Sequence, residues 1–138
     1  MPLDIELDWD LIEGDRDHRW ALSRVLYALS HPETDQILYL GKAEYQSVRQ
    51  RLACRSKDGV WNHVAEHFGV EELTLRIGEF ITDARLTVEL LADTESLLIK
   101  RLQPCCNVQA TQSRITRPGL RVTCSGDWPE RRDRFVDR

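Results

Sequence analysis

The sequence predicts a small α/β domain in which a three-stranded, mostly antiparallel sheet is flanked by helices, with extra segments at both ends. Three observations carry this. Two short apolar runs, 25–29 and 36–42, flank a turn-like His31-Pro32-Glu33-Thr34-Asp35; a third run, 73–81, alternates in period two; and residues 87–102 place apolar side chains at helical spacing. At 138 residues the chain fits one domain, and chains of roughly 150 residues bury about two-thirds of the surface they expose when unfolded. The predicted layout is a core at about 22–109, an acidic N-terminal arm at 1–19 and a C-terminal extension at 110–138.

Taken in order, residues up to Asp17 alternate acid with Leu3, Ile5, Leu7, Trp9 and Leu11, which suits an edge strand or an extended arm. The acids read as a solvated edge, or as a cover over a phosphate-binding surface. Next comes the hairpin, whose Pro and Asp set a turn and supply acceptors for it, and Gly41 closes its second strand. Ser47 is placed to N-cap a helix over 48–53, with Val48 and Leu52 on its buried side. Trp61, Val64, Ala65 and Phe68 keep helical spacing over 61–68.

The helix at 87–102 stops before Pro104. A helical wheel puts Glu95 within its apolar stripe, where an unpaired carboxylate is costly and calls for a cation, a hydrogen-bond cluster or a wet cleft. The same wheel puts Glu89 and Asp93 on the polar side. Residues 107–109 and 120–125 read as extended, and the polar tail is held by Trp128 and Phe135.

Composition narrows the function classes. The chain is 41% hydrophobic and 30% charged, and no apolar run approaches the roughly 20 residues of a membrane span. The acidic N-terminus is unlike a targeting peptide, so a cytoplasmic protein without a membrane partner is expected. Cys54, Cys105, Cys106 and Cys124 form no C-x-x-C pair and have no histidine at finger-like spacing, which points to reduced thiols rather than a zinc or disulfide frame. The net charge of −4 argues against indiscriminate nucleic-acid binding, yet arginines crowd the last stretch, from Arg114 to Arg138, and leave room for a basic face.

Val25-Leu26-Tyr27 and Tyr39-Leu40-Gly41-Lys42-Ala43, an Arg-Leu pair at Arg51-Leu52, Glu95-Ser96-Leu97-Leu98-Ile99, and then Pro104 and Asn107 follow one another in an order that resembles the GIY-YIG nuclease family. Cys124 to Pro129 also resembles a Cys-x-Gly-Asp-Trp-Pro tail of GIY-YIG-like sequences. The resemblance implies a metal-dependent DNA endonuclease that hydrolyses phosphodiester bonds with a single Mg²⁺ or Mn²⁺. It implies that Glu95 holds the metal, Arg51 meets the phosphate, Tyr27 or Tyr39 orients or deprotonates water, Lys42 lies beside them, and Asn107 holds the cleft by hydrogen bonds. Arg49 fits the family's spacing after Tyr39 better than Arg51 does, whereas Arg51 has the expected Leu neighbour. Arg55 stands where many members have His or Tyr, and His63 could substitute for it; Arg49, Arg55 and His63 are therefore further phosphate-contact candidates. A phenol with an ordinary pKa of about 10 needs help to act as a base. Glu95 could instead form a structural ion pair with Arg51. The alternative function is a nucleic-acid-binding module that does not cut, or a protein-interaction domain using the acidic arm.

Overall fold

The computed structural model describes residues 3–14, 16–53, 64, 66, 69, 73–82, 85–107 and 119–136. Its strands are β1 (Leu3–Leu11), β2 (Val25–Ser30), β3 (Ile37–Ala43), β4 (Thr74–Ile81), β5 (Leu120–Gly126) and β6 (Arg134–Val136). A 3₁₀ turn at His18–Ala21 precedes β2, and the two α-helices that lie whole within the described residues are α1 (Val48–Ala53) and α2 (Val88–Leu102).

All six strands form one sheet in the order β3-β2-β4-β1-β5-β6. This corrects the expected three-stranded architecture flanked by helices. The antiparallel trio β3-β2-β4 is present, but β4 pairs on its other side with β1, and β1 pairs in parallel with β5. The stretch expected to be an edge strand or arm is thus an interior strand. Its alternation signals one buried face and one open face, and that pattern suits an inner strand whose second face meets water as well as it suits an edge. The C-terminal segment is also part of the sheet, because β6 pairs with β5.

Pleating sorts the core into two faces. One carries Leu7 and Trp9, Leu26 and Ala28, Leu40, Val122 and Phe135 beneath Leu90, Leu91, Leu97 and Leu98 of α2. The other carries Val25, Tyr27, Leu29, Leu75 and Ile77, covered by Val48 of α1 and by Val64. This cover spans β2, β3 and β4. On β1 and β5 the second face stays polar: Arg121 pairs with Asp4 at 2.7 Å and Ser125 Oγ donates to Glu6 at 2.9 Å.

The helix ends follow local chemistry. Thr87 Oγ1 accepts from Leu90 N–H to cap α2, and Gln103, in left-handed backbone, closes it immediately before Pro104. At α1, Ser47 Oγ accepts from Gln50 N–H while Gln50 Oε1 accepts from Ser47 N–H, a reciprocal capping box. The expected helix over 61–68 falls mostly outside the described residues; Val64 and Glu66 within it are helical.

Candidate functional site

The register of the hairpin builds the site. Tyr27 lies directly opposite Gly41, and Leu29 opposite Tyr39, so both phenols project from the same face two residues apart along the ladder. Their ring centroids are 6.2 Å apart. The Tyr27 ring lies over Gly41 so closely that a Cβ there would sit 2.4 Å from its Cζ. Glycine is therefore required at this position by the ring opposite it, and not only as the end of a strand. Register slips at Leu38, where β3 takes an extra residue, and the Leu38 carbonyl is satisfied by Cys106 N–H at 3.0 Å.

Four of the expected residues converge. Tyr27 is fully buried, while Tyr39, Arg51 and Glu95 are half-buried. The Tyr27 hydroxyl and Arg51 Nε are both out of solvent and meet no partner in good hydrogen-bond geometry, although the Arg51 guanidinium and the Tyr39 hydroxyl lie close enough to Tyr27 to interact with it, and Arg51 acts on the charge of both phenols. Burial pushes Tyr27 well above the ordinary phenol range, and neighbouring Tyr39 and the Glu95 charge push the same way against the pull of Arg51. Tyr39 is raised by burial and then by Glu95, with Arg51 again opposing. Both phenols are therefore protonated at neutral pH, with O–H groups available to donate.

Asn107 is buried and pins this arrangement. Its Oδ1 accepts from Leu40 N–H and its Nδ2 donates to the Leu40 carbonyl, each at 2.8 Å, so one side chain replaces a missing strand partner between Tyr39 and Gly41. Two expected residues stand apart. Lys42 alternates onto the face opposite Tyr39 and lies 3.7 Å from Glu44. Arg49 is exposed with its guanidinium 5.0 Å above the Trp20 ring, which leaves Arg51 as the arginine that acts on the phenols. Arg55 and His63 lie outside the described residues.

The helical wheel misjudged α2 in one respect. Asp93, expected on its wet side, is buried, while Glu95 is half-buried. The helix is covered over a broad arc, including Thr94, whose hydroxyl donates to the Leu90 carbonyl at 2.7 Å.

Sequence reasoning also missed Arg76. Buried on the α2 side of β4, it lies 3.3 Å from Asp35 in the hairpin turn, 3.4 Å from Asp127 after β5, and within 3.4 Å of Ser30 Oγ. Its one signal in the sequence is a charge at an alternate position of a strand, which most half-exposed strands share. A third charged group, Asp8, Asp10 and Glu79, brings carboxylate oxygens within 4.8 Å of one another across β1 and β4, with Arg19 Nε 3.8 Å from Asp10. Acids often cluster this way on an open sheet face without an ion.

Among the phenol-site residues, Glu95 offers the one carboxylate. Among the described residues it belongs to no cluster of three or more His, Cys, Asp or Glu side chains that could close on an ion; the one such cluster is Asp8, Asp10 and Glu79. No helix among the described residues is long and apolar enough to cross a membrane. No family model, curated protein or solved structure matches the chain.

Proposed function

We propose that the chain is a metal-dependent DNA endonuclease that hydrolyses phosphodiester bonds at the Tyr27–Tyr39–Arg51–Glu95 site. The observation that carries this reading is the convergence of two buried phenols, the Arg51 guanidinium and the Glu95 carboxylate on one site. Gathering polar and ionisable groups out of water costs stability, so their gathering there points to use. Glu95 would hold Mg²⁺ or Mn²⁺, which when bound supplies Lewis-acid polarisation of the phosphate. Arg51 would present its fork to the phosphate oxygens as charge builds on them. The protonated phenols would donate hydrogen bonds that orient the attacking water or a phosphate oxygen, and the proton of that water leaves to solvent or to the substrate rather than to a tyrosine. Asn107 keeps β3 in register beneath them.

The test is plasmid nicking across a panel of divalent metals. Wild type is expected to nick, and Glu95→Ala to lose about a hundredfold or more while its unfolding midpoint holds. Nicking that survives in Glu95→Ala would end this reading.

A second reading, a nucleic-acid-binding module that does not cut, is favoured by one observation: burial raises both phenols away from the range of a general base. Wild type that binds DNA with a steep salt dependence and never cuts it under any metal would select this reading.

A further inference from the structure

A concentration of positive charge lies at the β6 edge of the sheet, beside the end of α2. Arg101, in the last turn of α2, meets Arg132 and Arg134, near and within β6, around a cavity of about 330 Å³ that Val136 completes. Two of the three side chains make a contact of their own, and the third is placed by its backbone. Arg101 Nη2 donates to the Val136 carbonyl at 3.0 Å, while its Nε is out of solvent and has no hydrogen-bond partner. Arg132 stacks over Phe135 at 5.1 Å, and its carbonyl accepts from Trp128 Nε1 at 2.8 Å. Arg134 is held in the β5–β6 ladder opposite Thr123.

Among the described residues no carboxylate forms an ion pair with any of the three. This contrasts with Arg19, Arg76 and Arg121, each of which has at least one acid within 4.0 Å. Three like charges around one cavity repel, and the arrangement is restored by a multiply charged anion. A single carboxylate would leave most of that charge unmatched. A phosphate group offers more charge and several oxygens to guanidinium forks.

We propose that the Arg101–Arg132–Arg134 cavity is a binding site for a phosphate group, carried either by a nucleic-acid backbone or by a small free phosphate compound. The proposal does not depend on the nuclease reading, since none of these residues belongs to the phenol site. Glu95 and Arg101 lie six residues apart on α2, about 9 Å along its axis and about 120° apart around it, so the cavity is a separate site.

The experiment uses the full chain. Pyrophosphate is titrated by calorimetry, a fluorescent DNA duplex by anisotropy, and citrate serves as a competing polyanion without phosphorus. Wild type is expected to bind pyrophosphate, and affinity to fall about tenfold for each arginine removed in Arg134→Ala and in Arg132→Ala with Arg134→Ala. Arg132→Lys with Arg134→Lys keeps the charge but loses the forks, and is expected to weaken binding as well. Duplex binding that falls in the same variants and is displaced by pyrophosphate identifies the backbone as the source; arginine-dependent pyrophosphate binding with duplex binding unchanged identifies a free phosphate compound. Absence of arginine-dependent binding in both arms, or citrate displacing pyrophosphate at equal concentration, overturns the proposal. Thermal unfolding of each variant separates loss of the site from loss of the fold, and Arg134→Ala, at an exposed side chain, remains readable if the double variant is unstable.

Discussion

Tyr27 over Gly41 and Trp9 over Gly78 are the same device built on opposite faces of one sheet. In each, an aromatic ring lies across the glycine paired with it on the next strand, with a glycine Cβ position 2.4 Å from the Tyr27 ring and 2.8 Å from the Trp9 ring. Their surroundings differ. Trp9 sits among apolar side chains, with the Trp128 ring 5.0 Å away. Its indole N–H closes no hydrogen bond, though it is near enough to Cys124 to offset part of the burial that pushes that thiol up to about 12. Tyr27 instead faces a guanidinium, a second phenol and a carboxylate. Packing accounts for the first pair. It leaves the charged neighbours of the second without a structural reason, and this asymmetry is what directs attention to the hairpin as the site of function.

The largest effect expected is on the apolar side. Trp9→Ala should cost about 3–5 kcal/mol in urea unfolding, enough to threaten the fold. A cost below 1 kcal/mol would remove Trp9 from the core and the comparison with it. Next, Gly41→Ala and Gly78→Ala should each cost about 1–3 kcal/mol, because the added methyl must displace a packed ring. Adding Tyr27→Ala should relieve most of the Gly41→Ala cost, a coupling read from a double-mutant cycle. If the glycine cost persists without the ring, the close approach is not its cause.

Tyr27→Phe should separate the two pairs most clearly. Removing a buried hydroxyl that meets Arg51 and Tyr39 only in poor geometry should change stability by about 1 kcal/mol or less, while DNA nicking falls; a larger loss would show that the hydroxyl is well hydrogen-bonded in solution.

The smallest effect appears only in alkali. Cys124 and Tyr27 both have folded-state pKa values raised above their unfolded ones. The folded protein therefore holds these protons longer than the unfolded chain, so stability is complete below the unfolded values and declines as pH rises past about 9 for the thiol and about 10 for the phenol. Unfolding midpoints measured from pH 8 to 11 should fall; Cys124→Ala should delay the onset and Tyr27→Phe should flatten the later part. A midpoint indifferent to pH across that range would contradict the burial of both groups.

What could be read from the sequence was what local chemistry dictates. The strands at 25–30, 37–43 and 74–81 follow from alternation and turn residues, and α2 follows from its spacing and Pro104. Motif order picks out Tyr27, Tyr39, Arg51, Glu95 and Asn107, and with them Lys42 and Arg49, which stand apart in the fold. Partner choice could not be read. Nothing near Leu7 says that it will lie opposite Phe80 on one side and Cys124 on the other, because ladder hydrogen bonds use backbone groups that every residue carries. The parallel β1–β5 pairing is the least local of all, since it joins strands separated by most of the chain. Reading Asp93 as wet failed for a related reason: a wheel assigns one stripe, while α2 is buried over a wider arc.

The grip of Asn107 on Leu40 reaches beyond the phenols. β3 forms one rim of the sheet, and open rims recruit strands from neighbouring molecules. Cys106 and Asn107 occupy backbone groups of Leu38 and Leu40 along that rim, and the opposite rim, β6, is only three residues long. The same amide that holds the hairpin in register thus also keeps one copy of the chain from adding to another, so its loss should appear as turbidity in concentrated solution before it appears as unfolding.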